Sequence, residues 1–253
     1  MEPDVLMNQL VQADERVDAF IRENLQIIQS PHYFSFSVDA ILLAEFANVP
    51  RRASGRIMDF CSGNGVIPIL LSKRTQANID AVEYQAPLVD MAKRSAQLNG
   101  LETRLNFIQA DLNELPRPQQ LYDLITCNPP YFSVQNKQSQ HHLTSHAIAR
   151  HEVFLTLEQW VHKARIFLKD KGKLCCVYRP DRLDDLMETL LRHGFSVNRM
   201  RFAYPKAHLP AKVVLIEAIY RGGRQGVVIE PPITIYQADN TYTPEMQAIY
   251  YGN

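Results

Sequence analysis

The stretch Leu124-Ile125-Thr126-Cys127-Asn128-Pro129-Pro130-Tyr131-Phe132 decides how the chain is read. Tyr122 to Cys127 is an apolar run with the length and composition of a buried strand. Pro129 and Pro130 stop it, because neither can donate to a sheet ladder. The stop is a stiff turn, presenting the Asn128 side chain, the Pro129 carbonyl and the Tyr131 ring at the strand's carboxyl end. In an open α/β sheet, ligands bind at that edge.

Strands and helices alternate before this turn. Ile57 to Phe60 reads as a short strand, followed by Cys61-Ser62-Gly63-Asn64-Gly65 and a helix from Val66 to about Lys73. Ile79 to Glu83 is a second strand, and Pro87 to Leu98 a helix with Gly100 at its C-cap. Leu105 to Gln109 is a third strand, ending at Asp111. After the turn, Phe154 to Leu168 is helical, Gly172 to Tyr178 a strand, and Asp181 to His193 a helix closed by Gly194. Phe195 to Tyr204 and Val213 to Tyr220 are the long strands of a terminal hairpin.

The ends of the chain are harder to place. Asp14 to Ile28 carries Val17, Phe20, Ile21, Leu25 and Ile28 at helix-like spacing, with a strand pair near Leu25 to Ile28 as the alternative. An aromatic segment from His32 to Phe36 leads to a helix over Ala40 to Ala47, which Ser37 or Asp39 can cap. From Gly222 the chain is strand-poor and proline-rich and is expected to wrap the surface. One α/β domain with a small N-terminal addition is the simplest organisation.

Composition narrows the function. The 253 residues suffice for a sizeable core, and apolar residues at 46% with charged residues at 21% are ordinary for a globular chain. Lys plus Arg and Asp plus Glu both number 27, which argues against nucleic-acid binding through overall basicity and leaves a local basic face open. The four cysteines, Cys61, Cys127, Cys175 and Cys176, form no C-x-x-C pair, so buried free thiols in a reducing compartment are expected. There is no signal-peptide pattern and no apolar run of membrane-spanning length, so a soluble cytoplasmic protein is the expectation.

The chemistry-bearing residues fall at successive strand ends. Asp59 precedes a loop whose Gly63 and Gly65 allow a sharp turn and a close backbone approach to a ligand, before a helix N-terminus with free N–H groups. The third glycine of a dinucleotide loop and the Gly-Lys-Ser/Thr of a P-loop are both missing, and a ligand-free tight turn is the competing reading. Glu83 can accept both hydroxyls of a ribose, or be a solvated charge. Asp111 can accept from an adenine amino group, or cap a short turn. One ligand could touch Asp59, Glu83, Asp111 and Asn128 in series.

The turn itself suits an amine conjugated to a π system. Such a nitrogen is a poor nucleophile, because its lone pair is delocalised. Hydrogen bonds from the NH2 group to the Asn128 side-chain oxygen and the Pro129 carbonyl would favour a pyramidal nitrogen with its lone pair aimed at an electrophile. Tyr131 and Phe132 could stack on the base.

The chain resembles a class I S-adenosylmethionine-dependent methyltransferase, in the group whose motif is Asn-Pro-Pro-Tyr. The glycine loop, Glu83, Asp111 and Asn128 to Tyr131 occur in that order, and the likeness runs from about Tyr33 to Tyr220. Phe36-Ser37-Val38-Asp39, Ala149 to Glu152 and Pro210 to Glu217 bring it close to the bacterial valine tRNA (adenine-N6) methyltransferases, which modify the adenosine beside the anticodon. Cys61 departs from the pattern, which more often has glycine there.

The resemblance implies a Rossmann-like, mostly parallel seven-stranded sheet, with an antiparallel last strand and helices on both faces. It implies an N-terminal extension over 1–30, a methyltransferase domain over 31–221 and a tail over 222–253 packed on that domain. It also implies S-adenosyl-L-methionine on Asp39, Asp59, Cys61, Gly63, Gly65, Glu83, Tyr84, Asp111, Leu112 and Asn128. Asn128, Pro129, Pro130 and Tyr131 would be the catalytic turn. A tRNA would meet Tyr131, Phe132, Lys137 and Arg150, with its adenosine flipped out of the stack.

The polar segment from Ser133 to Arg150 reads as a long functional loop. Its His141, His142 and His146 lack the partners of a zinc site, so no metal is expected. Arg199, Arg201, Lys206, Lys212, Arg221 and Arg224 could add a basic edge around the terminal hairpin. The same turn would also serve guanine N2 in ribosomal RNA or a protein glutamine amide. A cofactor- and RNA-binding factor without catalysis is the reading from another class.

Overall fold

A computed structural model describes residues 9–33, 35–130, 155–224 and 226–252. The chain begins with a hairpin of β1 (Arg16–Phe20) and β2 (Leu25–Gln29), in antiparallel register from Arg16 opposite Gln29 to Phe20 opposite Leu25. The helix suggested by the spacing over 14–28 is therefore not formed. Asn24 takes a left-handed φ of 52° and its N–H donates to the Ile21 carbonyl, closing a turn that divides the apolar series between two strands. The alternative strand pair is the one observed.

The body follows in βα units. α1 (Val38–Phe46) is buried over most of its length. β3 (Arg56–Phe60), α2 (Val66–Leu71), β4 (Asn78–Glu83), α3 (Ala86–Leu98), β5 (Leu105–Gln109) and β6 (Tyr122–Cys127) lead to the turn. After the undescribed residues come α4 (Leu157–Phe167), β7 (Leu168–Tyr178), a short 3-10 turn (Pro180–Arg182) and α5 (Leu183–Arg192). Thr156 and Gln159 close the start of α4 with a reciprocal capping box. β8 (Phe195–Tyr204) and β9 (Val213–Tyr220) form the long hairpin.

The strand order across the sheet is β5-β4-β3-β6-β7-β9-β8. β3 to β7 run parallel, and β9 runs antiparallel between β7 and β8, as the resemblance implies. The sheet is nine-stranded rather than seven-stranded, because the tail adds β10 (Val228–Ile229) and β11 (Ile233–Thr234), both parallel to β8. The tail then ends in α6 (Pro244–Tyr251). The expectation of a strand-poor wrap is corrected to this extent: two short pairings use the otherwise open edge of β8.

Both faces of the sheet are covered. Ile57, Ile79 and Phe107 point into a core shared with α1, α2 and α3, while Met58, Phe60 and Ile125 point into a second core with α4 and α5. That explains the continuous apolar run in β6, since a strand buried on both sides has no polar alternation. β3 and β6 are adjacent, and the chain winds outward from them in opposite directions. The switch point of the sheet therefore lies between the glycine loop and Asn128, where an open α/β sheet leaves a crevice.

Candidate cofactor and methyl-transfer site

The glycine loop is built on left-handed backbone. Cys61, Gly63 and Gly65 have φ of 57°, 55° and 84°. The cysteine that replaces the more usual glycine thus occupies a conformation costing an ordinary residue about 1–2 kcal/mol. A Cβ on Gly65 would fall 2.8 Å from the Phe107 ring, so that glycine is required by packing against β5. A Cβ on Gly63 would meet nothing within 4 Å, so the loop leaves open space above that glycine.

Asp59 lies beneath the loop and is completely buried. Thr126, opposite it in the β3–β6 register, donates its hydroxyl to Oδ1 at 2.5 Å, and among the described residues Oδ2 has no partner. Burial pushes this carboxyl up to about 8; the Thr126 hydrogen bond opposes the shift and the nearby Glu83 charge adds to it. The Ser62 hydroxyl in the loop is also buried, with no partner among the described residues. Two orphaned polar atoms and an open space at one loop fit a polar ligand that brings its own hydrogen-bonding groups.

Glu83, at the end of β4, is also buried. Its carboxylate accepts from the Gly63 N–H at 3.0 Å and the Gln85 N–H at 2.9 Å, bracing the loop while keeping lone pairs that can accept further donors. Tyr84 next to it is 47% exposed and presents its ring at the same edge. Asp111 Oδ1 accepts from the Asn113 N–H at 2.8 Å and so caps the turn after β5. The buried Leu112 follows it.

Asp39 sits in the first turn of α1. Burial raises its pKa, and the Ser37 hydroxyl donates to its carboxylate, so Ser37 occupies the N-cap position without bonding the helix backbone. Asn128 and Pro130 are half-buried and Pro129 is buried. Tyr131, Phe132, Lys137 and Arg150 lie outside the described residues, as do His141, His142 and His146.

Sequence reasoning missed the residues that hold the loop from behind. Asn64, almost fully buried between the two glycines, donates Nδ2 to the Ile28 carbonyl of β2 at 3.1 Å. The Ile28 N–H donates to Ser95 of α3 at 2.9 Å, and Gln29 accepts the Phe36 N–H at 3.1 Å. One strand of the N-terminal hairpin thus ties the glycine loop, α3 and the segment leading to Asp39. A buried amide between two glycines was the available signal, but its partner 36 positions earlier could not be read from spacing.

The three buried cysteines are poor nucleophiles. Burial raises the Cys127 and Cys175 thiols well above their ordinary value and Cys176 to about 12, so none is a ready thiolate. Among the described residues no three His, Cys, Asp or Glu side chains are grouped to hold a metal ion. Half of the basic edge drawn around the hairpin is neutralised: Arg199 pairs with Glu217 and Glu230, Arg201 with Glu245, and Arg221 with Asp170.

The model of the methyltransferase small domain family matches residues 24–201, most of the chain and the whole of the crevice. The chain belongs to that family. It is a class I S-adenosylmethionine-dependent methyltransferase.

Relatives of this methyltransferase include the tRNA1(Val) (adenine(37)-N6)-methyltransferase of Tolumonas auensis, 26% identical over 234 residues, covering 91% of this chain and 94% of the relative. The protein of the same name from Parabacteroides distasonis is 28% identical over 180 residues, with 71% and 74% covered. Among solved structures, a predicted O-methyltransferase of Agrobacterium tumefaciens superposes with a TM-score of 0.66 at 20% identity, over 85% of this chain and 96% of that one. Geranyl diphosphate C-methyltransferase of Streptomyces coelicolor superposes at 0.54 and 10% identity, over 72% and 78%. One fold carries these differently named enzymes, so the acceptor must be argued from the site. Among the described residues no helix is long and apolar enough to cross a membrane.

Proposed function

We propose that the protein transfers the methyl group of S-adenosylmethionine to the exocyclic N6 of an adenosine in tRNA, beside the anticodon of a valine tRNA. The observation that carries this reading is the position of Asn128-Pro129-Pro130 at the end of β6, adjacent to the glycine loop at the switch point of the sheet. The names of the relatives favour adenine in tRNA over the other planar amines. Such a substrate places the activity in the cytoplasm.

The bound cofactor supplies an electrophilic methyl group on a sulfonium. Gly63 would leave room for it above the loop, Glu83 would accept from its ribose hydroxyls, and Asp111 and Leu112, with Tyr84, would lie near its adenine. Asp59 offers its unpaired Oδ2 to the methionine ammonium, and Asp39 closes that end. The Asn128 amide oxygen and the Pro129 carbonyl accept the two N6 hydrogens and turn the nitrogen lone pair toward the methyl. Tyr131 stacks on the flipped base, with Phe132, Lys137 and Arg150 holding the RNA around it. Catalysis is then orientation and polarisation, with no base needed before transfer.

The test is single-turnover transfer to tRNA by wild type and Asn128→Ala, with cofactor affinity measured in parallel. Loss of about 100-fold or more in the transfer rate, with the cofactor still binding, is expected for removal of one oriented acceptor. Equal rates would refute the role given to the turn. Unchanged biological function of Asn128→Ala would favour a non-catalytic binding factor.

A further inference from the structure

Charge is distributed unevenly along the carboxyl edge of the sheet. The half formed by β5, β4 and β3 ends in the acidic side chains Asp111, Glu83 and Asp59, none of which offers phosphate a cationic partner. Beyond β6 the edge carries Arg179 and Arg182 after β7, then Lys206, His208 and Lys212 between β8 and β9. The register fixes the second group at the same edge as Asn128. Cys127 pairs with Cys176, Tyr178 with Val214, and Ala203 with Val213, so residues 205–212 cross from β8 to β9 beside the turn.

These side chains differ in what they already bind. Arg179 pairs with Asp181 and Arg182 with Asp185, while Lys206 donates to the Ala238 carbonyl at 2.9 Å. His208 and Lys212 are exposed, and among the described residues neither side chain has a hydrogen-bond or carboxylate partner. The segment that holds them is fixed at both ends. The Leu209 N–H donates to the Lys206 carbonyl at 3.0 Å, Tyr236 N–H to Pro205 at 2.9 Å, and Lys212 N–H to Ala203 at 3.0 Å. Pro205 and Pro210 stiffen it further.

We propose that residues 205–212 form a preorganised docking arm for the phosphate backbone of the RNA substrate, contacted through His208 and Lys212. The inference rests on the reading that the acceptor is RNA, and adds which surface receives it. β9 lies two strands from β6, a lateral distance of about 10 Å at roughly 4.8 Å per strand. That separation is small enough for the arm to hold the backbone close to an extruded base. A cation without an internal partner gains from a phosphate without first giving up a salt bridge.

The experiment uses the full chain with unmodified valine tRNA and measures binding over a salt series, methyl transfer, and cofactor affinity. Lys212→Glu and His208→Glu should each weaken tRNA binding by about tenfold, and Lys212→Glu should lower the slope of log affinity against log salt by about one. Cofactor affinity should stay unchanged, and Arg224→Glu, an exposed cation past the other end of β9, should bind tRNA like wild type. Unchanged binding in both arm variants, or equal weakening by Arg224→Glu, overturns the proposal. If wild type methylates no tRNA yet the arm variants still lose binding, the arm stands and the reaction assigned to the protein falls.

Discussion

Replacing Asp59 by Asn should move stability and cofactor affinity in opposite directions. In the cofactor-free protein the Asp59 carboxyl titrates near 8 because it is buried, with one oxygen bonded to Thr126 and the other to nothing. The unfolded chain would titrate it near about 3.9. Between those values the folded chain holds a proton that the unfolded chain releases, so stability falls as pH rises, by up to about 1.4 kcal/mol per unit. By pH 7 the accumulated penalty is about 4 kcal/mol in the limit where only this group matters. An amide keeps the acceptor for Thr126 and removes the ionisation, but leaves a buried NH2 that costs about 1–3 kcal/mol. The balance is a gain of about 1–3 kcal/mol near neutral pH, or a Tm higher by about 3–10 °C.

The same change removes the anionic partner proposed for the methionine ammonium. A hydrogen bond to a charged group is worth about 1.5–3 kcal/mol, so cofactor affinity should fall by about 10- to 150-fold. Thermal unfolding of both proteins from about pH 5 to about pH 8, with calorimetric titration of S-adenosylmethionine, reads both effects. The advantage of Asp59→Asn in Tm should widen as pH rises. Melting curves that run parallel across that range, or unchanged cofactor binding, would refute the reasoning.

Other positions give sharper contrasts. Gly65→Ala places a methyl against Phe107 at a positive φ and should destabilise the protein by about 2–4 kcal/mol in denaturant unfolding. Gly63→Ala meets open space, so its stability loss should stay near about 1 kcal/mol while cofactor affinity falls further than for a strain effect alone. Asn64→Ala releases the loop from β2 and should weaken cofactor binding by about tenfold, with tRNA affinity unaltered in a binding assay. Glu83→Gln should lower affinity for S-adenosylmethionine by about tenfold in titration, since one oxygen that braces Gly63 and would accept from the ribose becomes an NH2 donor.

Legibility in the sequence followed the range of the interactions. The strand before Asn128 and the loop after Asp59 were readable because prolines and glycines act on their own backbone, whatever surrounds them. The placement of Asp59, Glu83, Asp111 and Asn128 at one edge was readable too, because parallel βα units put every strand end on the same side. Residues 14–28 misled because one left-handed turn at Asn24 converts helix-like spacing into a hairpin. The partner of Asn64 and the salt bridges that neutralise Arg199, Arg201 and Arg221 depend on side chains far apart in the chain, which no local pattern records. β10 and β11 are two residues each, too short to carry a periodicity.

The most direct test of the central claim is transfer of labelled methyl from S-adenosylmethionine to total RNA from a strain lacking this gene, followed by nuclease digestion and nucleoside analysis. The account predicts label in N6-methyladenosine of the tRNA fraction, present with wild type and lost with Asn128→Ala. Label on guanosine N2, or no label in RNA while the cofactor still binds, would contradict it.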